Sequence, residues 1–150
     1  MSTTRKARKS DIGSIMAIAK ALRTWFTPAA RRNIRRSFDN QQGYVSKSNG
    51  KAIGFILYRK WKKAAIVTWI GILPAEQRKG AGSKLMSVVE AALKKSGVHC
   101  MKVFTLSYTT AYKPYERTRK FYRKMGFREL RIDRKYYPDG SDRLVLSKNL

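Results

Sequence analysis

The chain is short of cysteine, histidine and acidic side chains, and each shortage closes off some chemistry. It holds one cysteine, Cys100, and one histidine, His99, in 150 residues. A lone cysteine cannot build an internal disulfide framework, and the pair offers none of the spacings that hold a metal cluster, so no metal site is expected. No apolar run approaches the roughly 18 or more residues of a membrane helix. The N-terminus is basic and polar, without the apolar segment of a secretory signal. A cytoplasmic location, with no membrane partner, is therefore the expectation. Asp and Glu together number 9 against 34 Lys and Arg, a formal net charge of +25. So large an excess suits a polyanionic partner, such as RNA, DNA or an acidic protein surface, and it equally suits solubility by self-repulsion.

What is present is an ordinary folded composition. Hydrophobic residues make up 43% of the chain, enough for one domain, residues 1–150, with a proper core. The organising stretch is Gln77-Arg78-Lys79-Gly80-Ala81-Gly82. Before it, Ile66 to Leu73 is a β-branched run closed by Pro74. After it, Leu85, Val88, Val89 and Ala92 recur at helical spacing to about Ser96. Glycines at the mouth of a helix let a ligand approach the backbone without meeting a Cβ. The first helical N–H groups lack internal partners and sit at the positive end of the dipole, an arrangement suited to a pyrophosphate.

Around that unit the chain reads as alternating elements. Ser2 to Arg8 is a short first strand. Asp11 is placed to cap a helix carrying Ile12, Ile15, Met16, Ala19 and Leu22, and Pro28 opens an arginine-rich helix from about Ala29 to Phe38. Tyr44–Lys47 and Ala52–Arg59 flank the hairpin signal Asn49-Gly50, and a basic turn, Lys60-Trp61-Lys62-Lys63, leads into Ala64–Ile72. Gly97 stops the main helix and His99 to Ser107 is the next strand, where His99 reads as structural. Pro114 opens a helix with Thr118, Phe121, Tyr122 and Met125, ended by Gly126. A closing hairpin joins Arg128–Tyr137 to Asp142–Lys148.

The glycine turn resembles the phosphate loop of the GNAT superfamily of acetyl-CoA-dependent N-acetyltransferases, Gln/Arg-x-x-Gly-x-Gly/Ala, at Gln77, Gly80 and Gly82 after Ile72 and Pro74. Phe121-Tyr122-Arg123-Lys124-Met125-Gly126-Phe127 is similar to the family's second signature, with Tyr122 lying 40 residues after Gly82. The resemblance implies an α/β (α+β) fold: a mixed, mostly antiparallel sheet of about seven strands flanked by about four helices. It implies direct transfer of acetyl from acetyl-CoA, as cosubstrate, to a primary amine.

The resemblance also implies roles. Main-chain N–H groups of Gln77, Arg78, Lys79, Gly80, Ala81, Gly82 and Ser83 would hold the pyrophosphate. The backbone of Ile70 and Ile72 would pair with the pantetheine arm. Tyr122 would protonate the departing thiolate. An Asn common in the family is replaced by Tyr115, which leaves a phenol to make that pantetheine contact. Glu116 is the nearest carboxylate to serve as base, Glu76 a lesser one, and a backbone-held water a third route. Cys100 lacks the partner that a covalent acyl-cysteine route would want. The acceptor stays open among a protein N-terminus, a lysine, a small amine and a nucleic-acid-linked amine such as aminoacyl-tRNA. A homodimer, and a basic nucleic-acid-binding protein on the same scaffold, also stay open.

Overall fold

The computed structural model describes residues 2–150. Seven strands form one sheet: β1 (Ser2–Lys6), β2 (Gln42–Ser48), β3 (Lys51–Trp61), β4 (Ala64–Ile72), β5 (Cys100–Leu106), β6 (Arg128–Asp133) and β7 (Arg143–Asn149). Their spatial order is β1-β2-β3-β4-β5-β7-β6. Every pairing is antiparallel except β4 with β5. Four helices accompany them: α1 (Ile12–Ala21), α2 (Pro28–Ser37), α3 (Ala81–Lys95) and α4 (Tyr115–Lys124). This is the mixed, mostly antiparallel arrangement of seven strands and four helices that the two motifs implied.

Local chemistry sets most of the boundaries. The β2–β3 turn places Asn49 and Gly50 at φ 52° and 75°, the left-handed pair that matches hairpin twist. Thr27 caps α2 by accepting from the Ala30 N–H, with Pro28 at the first helical position. Gly97, at φ 80°, ends α3, and its N–H donates to the Lys94 carbonyl. Gly126, at φ 97°, ends α4 and lets the Phe127 N–H return to the Tyr122 carbonyl.

Asp11 departs from its expected role. It precedes α1 but makes no side-chain cap there. Its carboxylate turns back to the Arg8 N–H at 2.6 Å and to the Arg5 guanidinium at 2.8 Å. The Arg5 fork holds the Asp11 carboxyl below its ordinary value. A bidentate charged partner outcompetes the helix amides.

Two cores lie on opposite faces of the sheet. On one, α1 and α2 lay Ile15, Ile18, Leu22 and Ile34 against Val45, Phe55 and Leu57. On the other, Leu85, Met86, Val89 and Leu93 of α3 and Tyr122 of α4 cover Ile56, Val67, Val103, Leu144 and Leu146. The alternate residues of β5, Cys100, Lys102 and Phe104, are half-buried and belong to neither core.

Candidate active site

The site begins with a bulge. Leu57 pairs with Trp69 and Tyr58 with Val67, so Thr68 is an extra residue in β4. A bulge bends the strand that carries it. The β4–β5 pairing runs from Ala64↔Cys100 to Val67↔Val103 and stops there, while β4 continues to Ile72 and β5 to Leu106. A wedge therefore opens between the two parallel strands, starting at the bulge. The Thr68 hydroxyl sits at the bulge with its one proton between two acceptors, the Gln41 side-chain carbonyl and the Leu57 main-chain carbonyl at 3.2 Å.

One side of the wedge is a row of main-chain groups. Leu73 donates its N–H to Ile53 across the β3 edge. Strand alternation then turns the main-chain groups of Ile70 and Ile72 the other way, toward the gap. The Ile72 carbonyl is taken by the Gln77 side-chain amide at 2.9 Å. Gln77 thus has a different part from the one its motif position suggested. Its N–H also lies 3.4 Å from the Pro74 carbonyl. Both groups brace the turn, and the free amides begin later.

The turn itself is a nest of unusual backbone. Arg78 has φ 63° and Gly80 has φ 89°, left-handed conformations that glycine adopts without strain and arginine adopts rarely. They swing the chain so that α3 starts at Ala81, with its first N–H groups directed out of the helix end. Glu76 and Lys79 lie 3.8 Å apart, which occupies Glu76 on the outer side of the loop. A Cβ on Gly82 would rest 3.4 Å from the Phe121 ring, an ordinary contact. The start of α3 therefore packs against α4, so the two motif segments meet.

At the wedge's open end stand phenols. Tyr122 is 6% exposed, its ring packed between Phe121 at 5.7 Å and Phe127 at 5.9 Å. Burial pushes its phenol well above the ordinary value, and nearby Tyr115 and Tyr137 push it further. Its hydroxyl makes no hydrogen bond among the described residues. Yet it retains contact with solvent, since Thr105 Oγ1 is the sole side-chain polar atom there that is both sealed and unpaired. Tyr137 is likewise pushed up to about 12, chiefly by burial. Tyr122 at neutral pH is a neutral donor.

Glu116 stands on another side of α4 from Tyr122. It lies six residues before Tyr122 on the same helix, about 240° round the axis. It is exposed and lines a separate recess with Tyr108, Arg119, Lys120, Arg123 and Glu129. The helix that carries both side chains keeps them apart, so a carboxylate base at this position does not meet the phenol. The Tyr115 hydroxyl donates to the Trp25 carbonyl at 3.2 Å, and the Trp25 indole donates to the Pro114 carbonyl at 3.1 Å. Trp25 lines a cavity of about 380 Å³ with Pro74, Gln77, Arg78 and Arg117. Sequence reasoning weighs Trp25 as a wall of the acceptor site, reads it instead as packing of the helices on the sheet, and does not single out Tyr137. The available signals were the aromatic break before Pro28 and the Tyr136-Tyr137 pair in the closing hairpin.

The free amides at the start of α3, the cations of Arg78 and Lys79 beside them and the open wedge fit an extended anionic thioester such as acetyl-CoA. Comparison with known proteins agrees with that fit. Residues 39–129 match the acetyltransferase (GNAT) domain. The chain belongs to the GNAT acetyltransferases, enzymes that acetylate amines from acetyl-CoA. It is 27% identical over 120 residues to an N-alpha-acetyltransferase of Sulfurisphaera tokodaii, covering 71% of this chain and 68% of that one. The ribosomal-protein-S18-alanine N-acetyltransferase of Escherichia coli superposes with a TM-score of 0.81 at 22% identity, over 99% of this chain and 94% of that one. Ard1 from Thermoplasma volcanium gives the same TM-score and identity, over 99% and 97%. These likenesses in structure fix this GNAT chain's fold.

Proposed function

We propose that this N-acetyltransferase acts on an α-amine, with the N-terminus of a protein or peptide as the first candidate. The observation that carries this reading is that the titratable groups acting on Tyr122 are phenols, with no carboxylate among them. The titratable groups it feels are Tyr115 and Tyr137. Neutral phenols neither hold an ammonium ion strongly nor remove its proton at neutral pH. An α-amino group has a pKa of about 8, against about 10.4 for lysine, so a useful fraction of it is already neutral. A site without a strong base therefore selects the amine that needs one least. The name of the Sulfurisphaera relative, an N-alpha-acetyltransferase, supports the same reading.

Acetyl-CoA supplies an activated thioester; the rest of the chemistry falls to this chain. Amides of Gly80, Ala81, Gly82 and Ser83 bind the diphosphate, with Arg78 and Lys79 adding charge. The Ile72 N–H, turned into the wedge, is the donor for a carbonyl oxygen, and losing such a donor typically costs about 100- to 1,000-fold in rate. Tyr122 holds a proton at its hydroxyl for a departing thiolate. Water carries away the amine proton.

A second reading keeps the α-amine but places it on aminoacyl-tRNA, and the net charge of +25 favours it. One assay separates these readings. Purified protein with labelled acetyl-CoA is offered peptides with a free N-terminus and no lysine, peptides with a blocked N-terminus and a free lysine, and charged tRNA. Label on the first set is expected. Label confined to lysine would overturn the α-amine reading, and label confined to tRNA would select the second one.

A further inference from the structure

The β3–β4 hairpin carries a feature that acetyl transfer leaves unexplained. Arg59, Lys60, Lys62 and Lys63 surround Trp61, which is 68% exposed. The hairpin tip lies at the end of the sheet opposite the wedge, because β4 runs from Ala64 at the tip to Ile72 at the phosphate loop. The turn places Lys62 at φ 57°, where hairpins ordinarily use Asn or Gly. A cation thus stands where foldability alone would choose otherwise.

Strand register extends this feature across the sheet. Trp61 pairs with Ala64, Ala64 with Cys100, and Cys100 with Asn149. One row inward, Arg59, Ile66, Lys102 and Ser147 align in the same way. Paired residues share a face. The face in question is the one away from α3, where Cys100 and Lys102 belong to neither core. A half-buried strip of small and cationic side chains, with Ile66 among them, therefore leads from an exposed indole across the sheet. The cations at the tip are unspent: among the described residues, none of Arg59, Lys60, Lys62, Lys63 and Lys102 is in an ion pair. The strands that meet at this end, β3, β4, β5 and β7, contain no Asp or Glu.

We infer that this end of the sheet docks a single-stranded polynucleotide, stacking a base on Trp61 and setting phosphates on the flanking cations. A flat aromatic beside a line of positive charge is the pairing by which single strands are held without sequence readout. An acidic protein segment would use the cations but would give the exposed indole no role. A second copy of the chain is disfavoured by charge, since two-fold pairing would set like cations against each other. The inference goes beyond acetyl transfer and does not depend on which amine is acetylated.

The test is fluorescence anisotropy with a labelled single-stranded RNA of about 12 nucleotides, a length within the range one such surface covers. Trp61→Ala is expected to weaken binding roughly 5- to 150-fold, and Trp61→Phe to restore most of the affinity. Lys62→Gln with Lys63→Gln should reduce the slope of log affinity on log salt by roughly 1.4, while Lys20→Gln with Lys51→Gln, equal in charge but remote, should leave it nearly unchanged. Circular dichroism of each variant checks the fold, which an exposed tip does not support. Unaltered binding by Trp61→Ala, or equal slopes for the two lysine pairs, would show diffuse attraction and overturn the inference. So would a polyglutamate peptide that binds with the same dependence on Trp61. A dimer by sedimentation that Trp61→Ala dissolves would overturn it in favour of self-association.

Discussion

The Tyr115 hydroxyl donates to the main-chain carbonyl of Trp25, and the Trp25 indole donates to the carbonyl of Pro114, next to Tyr115. The loop after α1 and the start of α4 are therefore clasped by two bonds across about ninety residues of chain. This clasp closes one side of the cavity that holds Arg78 and Arg117. Tyr115, at the position the family resemblance gives to the pantetheine, thus also organises the wall.

Tyr115→Phe removes one of the two bonds and leaves the ring in place. A part-buried hydrogen bond is worth about 1 kcal/mol, or roughly 2–4 °C in Tm for a chain of this size. Loosening this wall beside Arg78 should raise KM for acetyl-CoA by several-fold with kcat little altered. Steady-state kinetics with acetyl-CoA varied and the amine saturating would reveal the split. Equal losses in kcat and kcat/KM would mean that Tyr115 touches the reacting groups after all.

Tyr122→Phe separates packing from chemistry. Among the described residues the hydroxyl has no hydrogen-bond partner, while the ring lies between Phe121 and Phe127. Thermal stability should hardly change. The rate of acetyl transfer should fall by about 100- to 10,000-fold, the usual worth of a positioned acid. Full activity of the phenylalanine variant on a responsive substrate would remove Tyr122 from that role.

Gly80 and Gly82 should answer differently to alanine. Gly80 has φ 89° with open space where a Cβ would go, so Gly80→Ala strains the backbone without a clash, at about 1–2 kcal/mol. Gly82 lies inside α3, and its added Cβ makes an ordinary contact with Phe121. Melting should therefore report Gly80→Ala as destabilised and Gly82→Ala as near native. Calorimetric titration with acetyl-CoA should show weaker binding for Gly80→Ala, because the nest that aims the amides is disturbed. A Gly80→Ala protein with native affinity would mean that the turn does not present those amides.

The sequence was most legible where one local cause dominates. The Asn49-Gly50 hairpin, the Pro28 start of α2 and the Gly97 and Gly126 stops each follow from a backbone preference that nothing tertiary opposes. The limits of β4, Ala64–Ile72, follow from a β-branched run between two punctuations. The site was less legible because its shape comes from relations between strands. Thr68 is an extra residue only with respect to Leu57 and Tyr58, and no periodicity within β4 announces a bulge. The angle between Glu116 and Tyr122 was readable from helical geometry. That geometry turns Glu116 and Tyr122 to different sides of α4. Tyr137 belongs to a hairpin that periodicity treats as a closing strand, and only the fold brings it beside Tyr115 and Tyr122.

Buried phenols should give this protein an alkaline limit to its stability. Burial pushes Tyr58 up to about 12, helped by the Tyr44 ring stacked 6.5 Å away, and Tyr137 reaches about 12 also mainly by burial. Tyr122 is shifted in the same direction. In the unfolded chain these groups titrate near 10. Below that pH both states keep the proton and the phenols cost nothing. Above it the unfolded chain ionises first, so stability falls as pH climbs toward the folded values. Lysines lose charge over the same range and relieve self-repulsion, which opposes the trend. Tyr58→Phe separates the two effects, since it removes one buried phenol and leaves every lysine. Chemical denaturation from pH 8 to 11.5 should show stability declining above about pH 10 in the native chain and declining less steeply in Tyr58→Phe. Identical slopes in the two proteins would mean that the Tyr58 proton is held no more tightly in the folded state than in the unfolded one.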